Sequence, residues 1–343
     1  MCIGASPRLP KHVTSGSGYN SRVSEERGTR GAAGSFPRVA VVIPVYRSEA
    51  TLGGCLEALR RQSFRPFETI VLDSSPDDAC ETIVRGRFPE IDYHHARDRC
   101  LPQEARNLGA TGSRAPLLVF TDPDVYPAPD WLERLVAAHE ATGGVVVGAL
   151  ACHGERWLDR GIHLCKFSKW LPGGPARAVD MSPTANMLIP RRLFEEAGGL
   201  PGELFQGDTT LSWELSRRGH TLWLEPRAVV DHHHLTGFRA FVAERFRRGR
   251  EFARLRMAWT EGGRWAHLGF LLASALPVRL ASNLVLALDH SRRSGSLHRY
   301  GPALPVAAAG FAASLAGEAA SYARGLVAPR PRGSAVRRSA VSS

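Results

Sequence analysis

Apolar runs recur at residues 39–43, 69–72, 117–120 and 145–150, each closed by polar or turn-forming residues. They are continuous rather than alternating, and the first is β-branched almost throughout, the pattern of strands covered on both faces of a parallel sheet. Helical spacing fills the intervals: Leu52, Cys55, Leu56 and Leu59 within 50–62, and Leu132, Leu135, Val136 and His139 within 131–142. His139 reads as a satisfied packing residue on that face. A short helix at 77–87, a weak strand at 91–94 and a helix at 101–112 complete the first half. Leu211 and Leu215 then give an amphipathic helix at 209–218 that Gly219 ends. Short strands are expected at 221–224 and 228–230, and residues 152–180, with a Pro-Gly-Gly-Pro turn, read as an irregular connector. Strand, helix, strand in this order predicts right-handed βαβ units and an α/β fold.

Two of the apolar runs deliver acidic residues to a strand tip: Asp73 after 69–72, and Asp122-Pro123-Asp124 after 117–120. Ligands of open α/β sheets bind beyond the carboxyl ends of the strands. An Asp-x-Asp pair there can hold a hard divalent cation through oxygen. A solvated turn is the other reading, since Asp and Pro are common turn formers.

The last third changes character. In 238–257, Phe238, Phe241, Val242, Phe246 and Ala253 share one helical side, while seven arginines between Arg239 and Arg256 crowd the remainder. Such a helix suits an anionic membrane surface or a lipid-phosphate acceptor, or a solvated charged face. Residues 268–288 are apolar but carry Pro277, Arg279 and Asn283, and 303–317 falls short of the ~20 residues a span needs. An interfacial or re-entrant hairpin is therefore favoured over a spanning pair, with a soluble helical subdomain as the alternative. The chain divides into 1–36, a Gly-, Ser- and Arg-rich segment expected to be disordered; 37–237, the α/β domain; 238–328, the helical region; and 329–343, a basic disordered tail.

The net charge is +11, and the lysines are only Lys11, Lys166 and Lys169. Arginine excess fits a phosphorylated or polyanionic partner, an anionic membrane, or a compositional bias. Nucleic acid is not expected, because no recognition motif or aromatic platform is present. The six cysteines form no CxxC pair, which points away from a zinc site or disulfide scaffold and towards reduced thiols in a cytosolic protein. No apolar secretory segment opens the chain.

The ordered motifs VVIPVY, CLEALRRQS, IVLD, ARNLGA, TDPD, TANM, GDTTLSWEL and PRAVVDH, over residues 38–234, resemble the family 2 glycosyltransferases. That resemblance implies the GT-A fold: a Rossmann-like, mostly parallel sheet with helices on both faces, here followed by a C-terminal helical and membrane-associated region. It also implies that Pro44, Tyr46, Glu49 and Asp73 hold the nucleoside of a nucleotide-sugar donor and that Arg106 approaches the diphosphate. Asp122 and Asp124 would bind Mn²⁺ or Mg²⁺, with His232 completing the metal site by a narrow preference over His234. Asp208 stands at the position of the catalytic base, with a helix N-cap as its other reading, and Asn186 is a candidate for the sugar or acceptor pocket or a turn amide.

These roles predict an inverting, metal-dependent transfer of a single sugar to a glycan or lipid-linked acceptor at the cytoplasmic face of the membrane, as in surface polysaccharide assembly. A cation neutralises charge on the departing diphosphate, and a carboxylate removes the acceptor proton. The Gln-x-x-Arg-Trp motif of processive synthases is absent from the sequence. Ser74, Arg47 and Gly207 depart from the family pattern. Two alternatives remain: transfer to a polyprenyl phosphate, which requires the arginine helix to border the cleft, and a nucleotide-sugar-binding pseudoenzyme.

Overall fold

A computed structural model describes residues 37–201, 206–260 and 263–327; the disorder expected at 1–36 and 329–343 lies outside them. Strands β1 (Val39–Val45), β2 (Phe67–Asp73), β3 (Asp92–His95) and β4 (Leu117–Thr121) form the parallel half of one sheet, ordered β3-β2-β1-β4. Every residue of β1 and β4 is buried, as continuous apolar strands between two helical layers require. Helices α1 (Leu52–Arg60), α2 (Ala79–Arg87) and α3 (Pro102–Thr111) are the crossovers. Because crossovers return the chain to the same edge, the ends of β1, β2 and β4 share one rim.

The second half is mixed. It contains β5 (Val125–Pro127), α4 (Trp131–Thr142), β6 (Val145–Cys152), α5 (Trp157–Phe167), β7 (Arg177–Val179), β8 (Asn186–Pro190), α6 (Arg191–Glu196), α7 (Gly207–Arg217) and β9 (Leu222–His232). Strand β8 inserts antiparallel between β4 and β6, while β9 runs parallel to β6 and carries β5 antiparallel on its far side. The sheet is thus parallel at one end and mixed at the other, a plan that the apolar runs alone do not reveal.

Three expectations need correction. The strands expected at 221–224 and 228–230 are one, β9, because a register shift between Gly148 and Ala149 absorbs Pro226 and its neighbours without ending the ladder. The connector expected at 152–180 contains α5 and β7. Gly161 disguised α5 as irregular, yet it is where Val306 packs: a Cβ at Gly161 would lie 2.3 Å from Val306 Cβ. Thirdly, the apolar stretch at 303–317 does not stop short, as the next elements make plain.

Helices α8 (Phe238–Trp259), α9 (Gly263–Ala275), α10 (Pro277–Arg293), α11 (Leu297–Tyr300) and α12 (Leu304–Val327) form the C-terminal region. A helical stretch Leu297–Leu326 is long and apolar enough to cross a membrane, with mean hydropathy 1.3. It extends past Gly317 because Glu318, which breaks the apolar pattern, is 5% exposed and paired with Arg279 of α10 at 2.7 Å. Helix α12 packs along α8, α9 and α5. Leu164, Phe241, Tyr300, Val306 and Ala307 form a second core there, distinct from that around the sheet. Helices α9 and α10 meet at a 64° bend before Pro277, where proline ends one helix and starts the next.

Candidate active site

The sheet positions the acidic pair. Strand β4 carries Asp122 to the rim, and β5 turns back at once to pair with β9, placing Val125 opposite His232. His233 N–H donates to the Asp124 carbonyl at 2.8 Å, which pins the Asp-x-Asp turn to β9. His232 Nε2 consequently lies 3.9 Å from Asp124 Oδ2. That separation is too long for a hydrogen bond and compatible with two donors to one cation. Strand alternation sends His233 to the opposite side, where it stacks on His153 at 3.6 Å. His234 shares the side of His232 but points at His163, so His232 is the histidine beside the acidic pair.

Negative charge is crowded at this turn. Burial, then the Asp122 charge, pushes the Asp124 carboxyl up to about 7. Arg106 of α3 donates to Asp122 Oδ1, while its buried Nε lacks a partner. Two crowded carboxylates, a neutral imidazole and a spare guanidinium donor fit a divalent ion holding a diphosphate. Burial drives the His232 imidazole well below its ordinary range, keeping a lone pair available for a metal.

Asp208 sits in the first turn of α7, but it is not the N-cap. Gln206 occupies that position, and Asp208 Oδ1 accepts from the adjacent Thr209 N–H at 2.8 Å. Burial raises its pKa, opposed by the nearby charges of Arg248 and Arg106 and reinforced by Asp122. Gly207, where the family pattern has Glu, is crowded: a Cβ there would lie 2.5 Å from Gln103 Cγ.

Beside Arg106 opens a cleft lined by Pro44, Tyr46, Ser74, Arg99 and Leu101. The Arg99 guanidinium lies 4.4 Å from the Tyr46 ring centroid, one wall of a slot suited to a planar base. Glu49 is exposed and does not line this cleft. Asp73 is at the expected strand end but is fully buried, with Oδ1 accepting from Ser75 N–H and Oδ2 from Tyr93 O–H, both at 2.8 Å. It shapes the loop under the cleft and offers no free face to a ligand.

Asn186 corrects the expectation of a pocket residue. It is 0% exposed, accepts from Trp131 Nε1 at 2.8 Å, and donates to the Ala149 and Ala228 carbonyls. Its amide joins three strands, because a buried Asn needs each of its groups paired. Conversely, the sequence did not single out Lys166 of α5, whose charge acts on both Asp124 and His232 and which pairs with Glu244 at 3.6 Å. Its one cue was being a lysine in an arginine-rich chain. Arg248 was legible as part of a basic helix but not as a neighbour of Asp208.

A mostly parallel α/β sheet with an acidic pair, an arginine and a histidine gathered at one rim is a GT-A-type fold. Residues 40–196 match the family described as Glycosyl transferase family 2. It is 33% identical over 129 residues to a validoxylamine A glucosyltransferase of Streptomyces hygroscopicus subsp. limoneus, covering 36% of this chain and 28% of that one. Over 226 residues it is 24% identical to the glycosyltransferase AglE of Haloferax volcanii, covering 63% of this chain and 73% of that protein. In fold it is similar to a mannosyltransferase of Pyrobaculum calidifontis solved with GDP-Man and Mn²⁺, with TM-score 0.50, 19% identity, and coverage of 83% of this chain and 92% of that one.

Proposed function

We propose that this chain transfers a single sugar from a nucleotide-sugar donor to a hydroxyl acceptor, with inversion at the anomeric carbon. The observation that carries the reading is the clustering of Arg106 with Asp122 and of His232 with Asp124 at one strand rim, with Asp208 within electrostatic reach of Arg106 and Asp122. Asp122, Asp124 and His232 would hold Mn²⁺ or Mg²⁺. When bound, that ion supplies charge neutralisation for the leaving diphosphate.

The residues supply the remaining steps. The base would lie against the Tyr46–Arg99 wall, and Arg106, freed from Asp122, turns its donors to the diphosphate. Asp208 accepts the acceptor hydroxyl proton as that oxygen attacks the anomeric carbon and the carbon–phosphate oxygen bond breaks. A single base and direct displacement give inversion. Partial burial raises its pKa, while the positive charges of Arg248 and Arg106 favour the ionised form that acts as base. Replacement of Asp208 by Asn should abolish transfer and retain donor binding; retained transfer would reject this role, and lost donor binding with wild-type folding would move Asp208 to the donor site.

One observation favours a phosphorylated acceptor, the polyprenyl-phosphate reading. Arg248 of α8 acts on Asp208, and Gln206 before α7 donates to the Arg248 carbonyl at 3.3 Å, so the arginine helix borders the cleft. A comparison of polyprenyl phosphate with a neutral lipid-linked glycan as acceptor separates the two. We further propose that the α9–α10 bend lies in the cytoplasmic membrane interface. Trp265, Leu272, Leu276, Val278, Val285 and Leu286 are each at least half exposed there, an apolar surface a soluble helical subdomain would not leave open.

A further inference from the structure

Cys152, His163 and His234 converge in the second core, their Sγ and ring nitrogens all lying within 4.8 Å of one another. They come from three elements: the end of β6, the middle of α5 and the segment just after β9. Their exposures are 2%, 0% and 7%, so no water competes for these donors. Cysteine spacing pointed away from zinc because the three are separated along the chain and meet only when α5 folds over the sheet.

The hydrogen bonds fix which atoms face one another. His163 Nε2 lies 3.0 Å from the Leu150 carbonyl, which only accepts, so that nitrogen carries the proton. His163 Nδ1 therefore presents a lone pair, and it points at His234 Nε2, 3.1 Å away. A ring N–H held by a backbone carbonyl behind the ligating nitrogen is the arrangement that orients metal-bound histidines. An apolar core needs none of these groups: burying two imidazoles and a thiol costs desolvation that leucine or phenylalanine at the same positions would avoid.

From this geometry we propose that Cys152 Sγ, His163 Nδ1 and His234 Nε2 bind a Zn²⁺ ion, separate from the cation site at Asp122 and Asp124. Three protein ligands of one thiolate and two imidazoles match zinc chemistry and leave one coordination position open. Binding releases one proton, from the Cys152 thiol; the proton on His234 Nε2 relocates to Nδ1 of the same ring. Because the site is enclosed, the ion enters as the chain folds. Its position gives it a task. His232 stacks on His234 at 4.5 Å, so a metal fixing His234 fixes the end of β9 and the ring beside Asp124. It also ties α5 to the sheet.

The test is metal content of the full chain, expressed in zinc-supplemented medium, purified without a chelating tag and dialysed exhaustively. One zinc per chain is expected in the wild type and in Asp124→Asn, and loss of zinc in Cys152→Ser and in His234→Gln. Equal zinc in wild type and Cys152→Ser, or none in the wild type, overturns the proposal. Should the variants fail to fold, wild-type protein made in cobalt medium decides alone. A sulfur-to-cobalt charge-transfer band in the near ultraviolet is expected, and its absence rejects Cys152 as a ligand. A donor site that fails in binding assays leaves these readouts unaffected, so the two accounts stand or fall separately.

Discussion

Arg106, 4% exposed, donates to Asp122 from 16 residues earlier in the chain, while its buried Nε stays without a partner. The guanidinium thus neutralises one member of the acidic pair and keeps a donor in reserve. Charge-assisted hydrogen bonds contribute about 1.5–3 kcal/mol, so Arg106→Ala should weaken nucleotide-sugar binding about 10–100-fold, read by calorimetry with Mn²⁺ present. Unchanged donor affinity would take Arg106 out of the diphosphate site.

Asp208 gives a pH dependence. Burial raises its pKa, so it gains a proton at a pH where an exposed aspartate would be ionised. A base must be ionised, so transfer should decline as pH falls through that raised value, giving an acid limb above the ordinary aspartate value of about 3.9. The sign reverses for stability: a raised carboxyl pKa means that the folded state resists ionisation and loses stability as pH rises. Asp208→Asn should therefore melt at a higher temperature than wild type at pH 7.5 while losing about 10²–10⁴-fold in rate. A lower melting temperature would contradict the destabilised carboxylate.

Arg47 lies in the first loop with φ 49°, the left-handed region, and its N–H donates to Ser75 Oγ at 2.8 Å. Arginine gains nothing from that backbone, whereas Asn, common here in the family pattern, tolerates it through its short polar side chain. Arg47→Asn should stabilise the fold by up to about 1 kcal/mol, measured by urea unfolding. Destabilisation would show that the Arg47 side chain, 5.8 Å from the Tyr46 ring centroid, outweighs the backbone cost.

Trp265, 84% exposed on α9, reports on the membrane proposal. Vesicles containing anionic lipid should shift its fluorescence to the blue and sediment the protein, and Leu276→Asp with Val278→Asp should abolish both. Binding that survives those changes would place the contact elsewhere.

The parallel half of the fold was legible because buried strands and crossover helices each leave a local periodic signature. The mixed half was not. Strand β8 begins at Asn186 and reads as a turn, its partners β4 and β6 being far away in sequence. The site divides similarly. The rim position of Asp122 and Asp124 was legible from strand-end logic, whereas alternation left His232 and His234 on one face and only the family's motif spacing preferred His232. Asn186 and Asp73 were misjudged because a polar side chain in a motif gives no sign of whether it faces ligand or protein, and here each is consumed by internal hydrogen bonds. Lys166 was hidden in a helix that Gly161 disguised.

Metal-dependent donor binding at the acidic pair is the claim on which the proposed reaction rests. The direct measurement is a thermal-shift titration of the full chain with UDP-, GDP- and dTDP-sugars, with Mn²⁺ or with chelator, for wild type and Asp124→Asn. At least one donor should raise the melting temperature of wild type with Mn²⁺ and fail to do so with chelator or in Asp124→Asn. A donor shift of equal size in all three conditions, or none from any donor with metal, would contradict it.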